Sequence, residues 1–200
     1  MDPLRPLIFV WPEGLLIWAV MAWALWMEWR QLQRKKAFSG GHDGDDRYSG
    51  LVISIGASML QVAAVLAAWH APTALQDDGR LWAYYGGVAV IVAGMLLRMH
   101  CWAALGRFFT HTVTVQSDHQ VVDVGAYRYL RHPSYLGALM TLGGFGLMLG
   151  NLASLAVMLV GSWAIYLYRI HVEEAALEAA LGDAYRRFKQ TRKRLIPFVY

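Results

Sequence analysis

The residues best suited to chemistry lie between Gly125 and Gly137, in the run Gly-Ala-Tyr-Arg-Tyr-Leu-Arg-His-Pro-Ser-Tyr-Leu-Gly. Arg128, Arg131 and His132 stand beside three tyrosines, immediately before a long apolar run. Pro133 lacks an N–H and has φ fixed near the helical value, so it fits the first turn of a helix and no later turn. A helix is therefore expected to start at Pro133, with its unpaired N–H groups directed back toward Arg131 and His132. Cationic side chains beside a positive helix end suit an anion such as a carboxylate or phosphate. They would equally suit a basic cap that anchors a membrane helix among lipid headgroups. A second pair of interest, Arg169 and Glu173, is four residues apart and shares one face of any helix that contains it.

The elements that must position these residues are apolar. Of 200 residues 57% are hydrophobic and only 16% charged, with nine Trp and ten Tyr. A soluble domain carries about a quarter charged residues, so the composition points to a polytopic membrane protein of a single domain, residues 1–200. The net charge of +4 sits beside apolar spans, which gives no support to a nucleic-acid partner. Cys101 is the only cysteine, so an intrachain disulfide and a cysteine-rich metal site are excluded. The opening residues Met-Asp-Pro-Leu-Arg are not a basic signal-peptide start, and the first apolar run is expected to stay as a membrane helix.

Five apolar runs are expected to be helices, at residues 7–29, 51–69, 81–97, 133–149 and 152–170. Trp11, Trp26 and Trp29 fall near the ends of the first, where indoles favour the interface. The glycine- and aspartate-rich loop at 39–49 lacks the ligand spacing and closing Glu of a calcium loop and reads as a solvated linker. A short acidic loop at 76–80 precedes the third run. The last two runs are separated only by Gly150-Asn151, which calls for an antiparallel helical hairpin. Its second arm continues past residue 170 as an amphipathic helix ending at Gly182, followed by a basic stretch at 185–194 and an apolar tail. Residues 104–132 read as an extended connector, too long for an ordinary loop and too aromatic and β-branched for disorder. The basic clusters at 30–36, 98–107 and 186–194 fall on one side of this arrangement, which the excess of Lys and Arg makes cytoplasmic. The resulting fold class is all-α with about five transmembrane helices, N-terminus outside and C-terminus inside. A cytoplasmic connector and C-terminal helix complete it, and an integral bacterial inner-membrane location is permitted. The hairpin then brings Arg169 and Glu173 to the level of Arg131 and His132.

Four segments resemble the isoprenylcysteine carboxyl methyltransferase family, in the same order and at matching spacing. They are Gln116-x-x-His119-x-x-Val122-x-x-Gly125-x-Tyr127, Arg131-His132-Pro133-Ser134-Tyr135-x-Gly137, Arg169-x-x-x-Glu173-Glu174, and the tail Arg194-Leu195-Ile196-Pro197. The resemblance covers about residues 105–200; residues 1–100 agree only as hydrophobic spans, within a three-span part at 1–103 that precedes the core at 104–200. It implies an integral-membrane methyltransferase that uses S-adenosyl-L-methionine and lacks the doubly wound sheet of soluble methyltransferases. No glycine-rich strand-to-helix turn contradicts it. Carried over position by position, Gln116, His119, Gln120, Val121, Val122, Tyr127, His132, Pro133, Ser134, Tyr135 and Glu173 would surround the cofactor. Arg169 would bind an acceptor carboxylate. Charge placement alone adds Arg98 and Arg131 as candidates for a direct role, Arg131 being grouped with Arg169 at the reacting end.

These residue types suit methyl transfer. A sulfonium methyl is already activated, so orientation and desolvation matter more than acid or base catalysis. A carboxylate acceptor is ionised at neutral pH, whereas an amine must first lose a proton. Arg169 favours the anion, in a prenylated or otherwise lipophilic acceptor that enters from the bilayer. Glu173 would hold the cofactor's ammonium, with His132 and the first N–H groups of the helix on its carboxylate. The histidines at 100, 111, 119, 132 and 171 lack a shared ligand spacing, so no metal site is expected. Two alternatives stand: a phospholipid or small amine or thiol methyltransferase, and a non-catalytic scaffold whose basic residues hold anionic lipids. Neither the acceptor's identity nor the oligomeric state is readable.

Overall fold

The structure is a computed structural model that describes residues 6–38, 47–106 and 121–196. It is built from six α-helices: α1 (Glu13–Phe38), α2 (Arg47–His70), α3 (Asp77–Leu105), α4 (Pro133–Met148), α5 (Leu152–Leu181) and α6 (Asp183–Thr191). Two 3-10 turns, Leu7–Phe9 and Gly125–Arg128, are the other helical elements among the described residues. No β-strand occurs among the described residues; two isolated bridges, Ala74 with Asn151 and Leu130 with Lys193, join distant segments.

Helix α4 is the centre of the assembly, packed between α3 and α5, while α5 also packs on α2 and carries α6 at its far end. Glycine makes the α3–α4 contact possible. A Cβ on Gly87 would lie 2.6 Å from the Gly144 carbonyl oxygen, and one on Gly94 would lie 2.5 Å from that of Gly137. The two helices thus meet backbone to backbone at two levels, the close approach that small residues permit between membrane helices. Contacts between α4 and α5 pair Tyr135 with Tyr166 at one end and Gly146 with Met158 at the other, so the two run antiparallel. Their link is only Leu149, Gly150 and Asn151, with Gly150 at φ +65°.

Asn151 caps α5 by accepting from the N–H groups of Ala153 (2.9 Å) and Ser154 (3.3 Å). The same side chain accepts from the Thr73 hydroxyl (2.8 Å) and donates to the Ala71 carbonyl (3.1 Å), fixing the α2–α3 connection to the α4–α5 tip. Ser154 closes this end by donating to the Ala64 carbonyl (2.7 Å).

Three helices among the described residues, α2, α3 and α5, are long and apolar enough to cross a bilayer. Helix α4, at 16 residues, measures about 24 Å against a hydrocarbon layer of ~30 Å. Helix α1 carries Glu28 and Arg30 in its second half. Along α2 the exposed residues Val52, Ile55, Met59, Val62, Leu66 and Trp69 recur every three or four positions. They form one continuous apolar stripe, which suits a hydrocarbon solvent rather than water.

Two local expectations differ from the structure. The first apolar run does not form one helix from residue 7. Leu7–Phe9 folds back as a separate turn, with the Trp18 indole donating to the Ile8 carbonyl (3.2 Å). The cause is Pro12, which disfavours helical geometry at the residue before it and starts α1 afresh. The stretch beginning at Asp77, expected as a loop before the third run, is the first turn of α3, where acidic residues suit the positive helix end.

Candidate active site

The sequence Arg131-His132-Pro133 places a helix start against a basic pair, and the structure begins α4 at Pro133 with His132 as its N-cap. The His132 carbonyl accepts from the N–H groups of Tyr135 (3.1 Å) and Leu136 (3.2 Å). The backbone just before the helix is stitched to the tail: Arg131 N–H donates to the Lys193 carbonyl (2.8 Å) and His132 N–H to that of Arg194 (3.1 Å). Asp123 adds an ion pair to Arg192 at 2.9 Å.

Helix α5 brings two adjacent glutamates to this point, and they do different things. Residues next to each other on a helix point about 100° apart, so Glu173 and Glu174 meet different partners. Glu174 is buried, and its Oε1 lies 3.0 Å from Arg131 Nη1 and 3.1 Å from His132 Nε2. Its Oε2 lies 3.2 Å from Arg194 Nη2. One carboxylate therefore holds three cationic or titratable groups from two chain segments. Glu173 keeps a side chain 26% exposed; Oε2 accepts from the Tyr135 hydroxyl and Oε1 lies 4.0 Å from His132 Nδ1. A carboxylate offers about four acceptor sites, so Glu173 retains capacity for a further donor.

Arg169, one turn earlier on α5, is 2% exposed. Its Nε donates to the Tyr135 hydroxyl (3.1 Å) and lies 3.9 Å from Glu173 Oε2. The Tyr135 hydroxyl thus accepts from Arg169 and donates to Glu173, tying the two together. The Tyr135 ring lies parallel to the His132 imidazole, with centroids 5.4 Å apart, and tilts against Tyr166 at 5.2 Å.

The structure brings together His132, Pro133, Ser134, Tyr135, Arg131, Arg169 and Glu173, with Pro133 and Ser134 buried in the first turn of α4. Tyr127 is buried in the Gly125–Arg128 turn and shares a hydrogen bond with the Cys101 thiol. Burial, then the neighbouring Cys101 and Glu173, hold its phenol well above the ordinary value, so it stays neutral. Val121 and Val122 are half-buried at the entry to this segment. Gln116, His119 and Gln120 lie outside the described residues. Arg98 is directed to Glu28 of α1 in an ion pair, and its guanidinium stacks over Trp102 at 5.0 Å. No group of three His, Cys, Asp or Glu side chains among the described residues could hold a metal.

Three contributors had no role assigned from the sequence: Glu174, Arg194 and Tyr185. The doubled glutamate was visible as a motif, and the different tasks of its members follow from their angular separation. Tyr185 of α6 is buried, and its hydroxyl has no hydrogen-bond partner. Arg131 Nε is likewise buried without one. Buried polar atoms of this kind mark places that a polar ligand can complete. A partly exposed carboxylate beside unpartnered donors and a helix N-terminus fits the zwitterionic amino-acid end of S-adenosylmethionine.

Residues 87–179 match the family model described as the isoprenylcysteine carboxyl methyltransferase (ICMT) family. Similar proteins include the protein-S-isoprenylcysteine O-methyltransferase of Schizosaccharomyces pombe, 33% identical over 108 residues that cover 53% of this chain and 46% of that protein. The B form of Arabidopsis thaliana is 33% identical over 120 residues, covering 59% and 61% respectively. The chain thus spans about half to three fifths of the length of these relatives. A solved structure described as the eukaryotic intramembrane Ras methyltransferase ICMT aligns over 96% of this chain and 70% of its own, with TM-score 0.68 and 22% identity. That likeness shows a shared membrane fold, reaching well beyond the residues that the family model matches. The stretch that the family model matches contains α4 and both the Arg169 and Glu173 positions, while the tail at 193–196 that pairs with Arg131 and His132 lies outside it.

Proposed function

We propose that this chain transfers a methyl group from S-adenosylmethionine to the carboxylate of a lipophilic acceptor, most simply an isoprenylcysteine. The observation that carries this reading is the Arg169–Tyr135–Glu173 arrangement, in which one hydroxyl joins a buried guanidinium to a partly exposed carboxylate. The relatives are named as O-methyltransferases of isoprenylcysteine, which supports the same chemistry.

S-Adenosylmethionine supplies an electrophilic methyl on a sulfonium, which needs no further activation. Glu173 would hold its ammonium; His132 and the first N–H groups of α4 would hold its carboxylate. Tyr127, Pro133, Ser134 and the 116–122 segment would enclose the remainder. Arg169 orients the acceptor carboxylate through its planar donor pair, and no general base is required because that carboxylate is already ionised. Glu174 holds Arg131 and His132 in place, which leaves Arg131 Nε to face a ligand. The apolar surroundings exclude water and strengthen each of these contacts.

The topology that fits is five spans with the site on the cytoplasmic face. In it, α1 and the short α4 cross together with α2, α3 and α5, α4 being sheltered between α3 and α5. A reporter after residue 200 should read cytoplasmic and one inserted at Asp77 external; both on one side would break the five-span arrangement.

Purified protein in detergent, titrated calorimetrically with S-adenosylmethionine, should show saturable binding. Turnover of a farnesylated cysteine analogue should exceed that of phosphatidylethanolamine. Arg169→Ala should remove most of that turnover, about a hundredfold or more, and Arg169→Lys should restore only part, since a point charge lacks the two-donor fork. Turnover of the amine alone, indifferent to Arg169→Ala, would establish an amine methyltransferase instead. Absence of cofactor binding would leave a lipid-binding scaffold.

A further inference from the structure

Helix α6 begins directly after the Gly182 break, at φ +54°, which turns the chain so that Tyr185 is directed inward. Tyr185 is 3% exposed, its ring lies 6.1 Å from that of Phe188, and its hydroxyl is enclosed without a hydrogen-bond partner. Phe188 could fill an apolar niche without a hydroxyl; Tyr185 carries one that no group among the described residues answers. Four charged side chains act on that hydroxyl: Glu174, Glu173, Arg131 and Arg194. They are the charged groups that meet at the start of α4. Burial, the largest influence, holds the phenol above its ordinary value, so it keeps its proton at neutral pH. A protonated phenol donates one hydrogen bond and accepts others. It therefore suits a zwitterion, donating to a carboxylate while accepting from an ammonium.

We propose that the Tyr185 hydroxyl is a further binding group of this site, completing the contact with the amino-acid end of the methyl donor beside Glu173. The inference rests on the cofactor reading above and extends the site to α6, beyond the stretch that the family model matches. Arg131 Nε, also buried without a partner, lies on the opposite segment and would serve the same carboxylate.

The test compares two ligands by isothermal titration of the full chain in detergent. S-Adenosylhomocysteine carries the amino-acid end; 5′-methylthioadenosine has the same nucleoside and a thioether but lacks it. Tyr185→Phe keeps the ring and should weaken S-adenosylhomocysteine about tenfold or more while leaving 5′-methylthioadenosine unchanged. Phe188→Leu, which disturbs the ring packing without removing a hydroxyl, should leave the ratio of the two affinities as in the wild type. Equal weakening of both ligands by Tyr185→Phe, no weakening of either, or an equal change of ratio in Phe188→Leu would each overturn the proposal. Wild-type protein that binds neither ligand would overturn the cofactor reading itself.

Discussion

The two ends of the α4–α5 pair are both polar and both buried, yet they are built on different principles. At the Asn151 end one neutral amide side chain answers a hydroxyl, a carbonyl and two backbone N–H groups. At the Tyr135 end charged groups from the segment before α4, from α5 and from the tail meet, and the Arg131 Nε and the Tyr185 hydroxyl have no hydrogen-bond partner among the described residues. A closed neutral set fixes a tip. A charged set with open positions is costly to bury and is kept where it meets a ligand. The contrast separates a structural knot from a site without reference to any relative.

The contrast is sharpened first by Glu174→Ala. This change strips Arg131, His132 and Arg194 of their shared carboxylate and should lower stability by about 3–5 kcal/mol, the cost of leaving buried charge unpaired. Denaturant unfolding in detergent measures it. A loss no larger than that of an exposed substitution would show that the three contacts do not hold the tail.

Much of this end was legible beforehand. Pro133 announced the start of α4, and the spacing of Arg169 and Glu173 placed them on one face of α5. The two-residue break at 150–151 brought both to the level of His132. The remainder was not, because it depends on which distant segments meet. Periodicity places Arg98 at the membrane edge and says nothing of Glu28, seventy positions away, which the fold brings to it. The stretch at 185–194 read only as basic, since Tyr185 is one aromatic among several charges. Backbone pairing of Leu130 with Lys193 leaves no side-chain signature at all. The fold-back of Leu7–Phe9 was hidden because Pro12 is compatible with either a first turn or a break.

Glu173→Gln is the next test in size. It removes the charge proposed to meet an ammonium while keeping the shape and the Tyr135 contact. Cofactor affinity should fall by about 1.5–3 kcal/mol with little change in melting. A variant that binds S-adenosylhomocysteine as the wild type does would remove Glu173 from the site.

Asn151→Ala probes the opposite end. Loss of an N-cap costs about 0.5–2 kcal/mol, and here the Thr73 and Ala71 partners are lost as well, so stability should drop near the top of that range. Cofactor affinity per folded molecule should stay unchanged. If it fell as far as in Glu173→Gln, the two ends would be coupled and the distinction between knot and site would fail. Ser154→Ala, which removes one hydrogen bond to the Ala64 carbonyl, should cost least, about 0.5–1.5 kcal/mol. Its effect on turnover of the folded fraction should be nil.

The pairing of Leu130 with Lys193, and of the Arg131 and His132 amides with the Lys193 and Arg194 carbonyls, has a consequence for biosynthesis. A ribosome releases His132, Tyr135, Arg169 and Glu173 well before it releases residues 193 and 194. Insertion of the helices can be finished while the basic pair before Pro133 still has no backbone partner and Glu174 lacks Arg194. A nascent chain would then sit in the bilayer with its helices in place and the end proposed to bind the donor unformed. On the proposed reading, binding competence then follows the insertion of the helices.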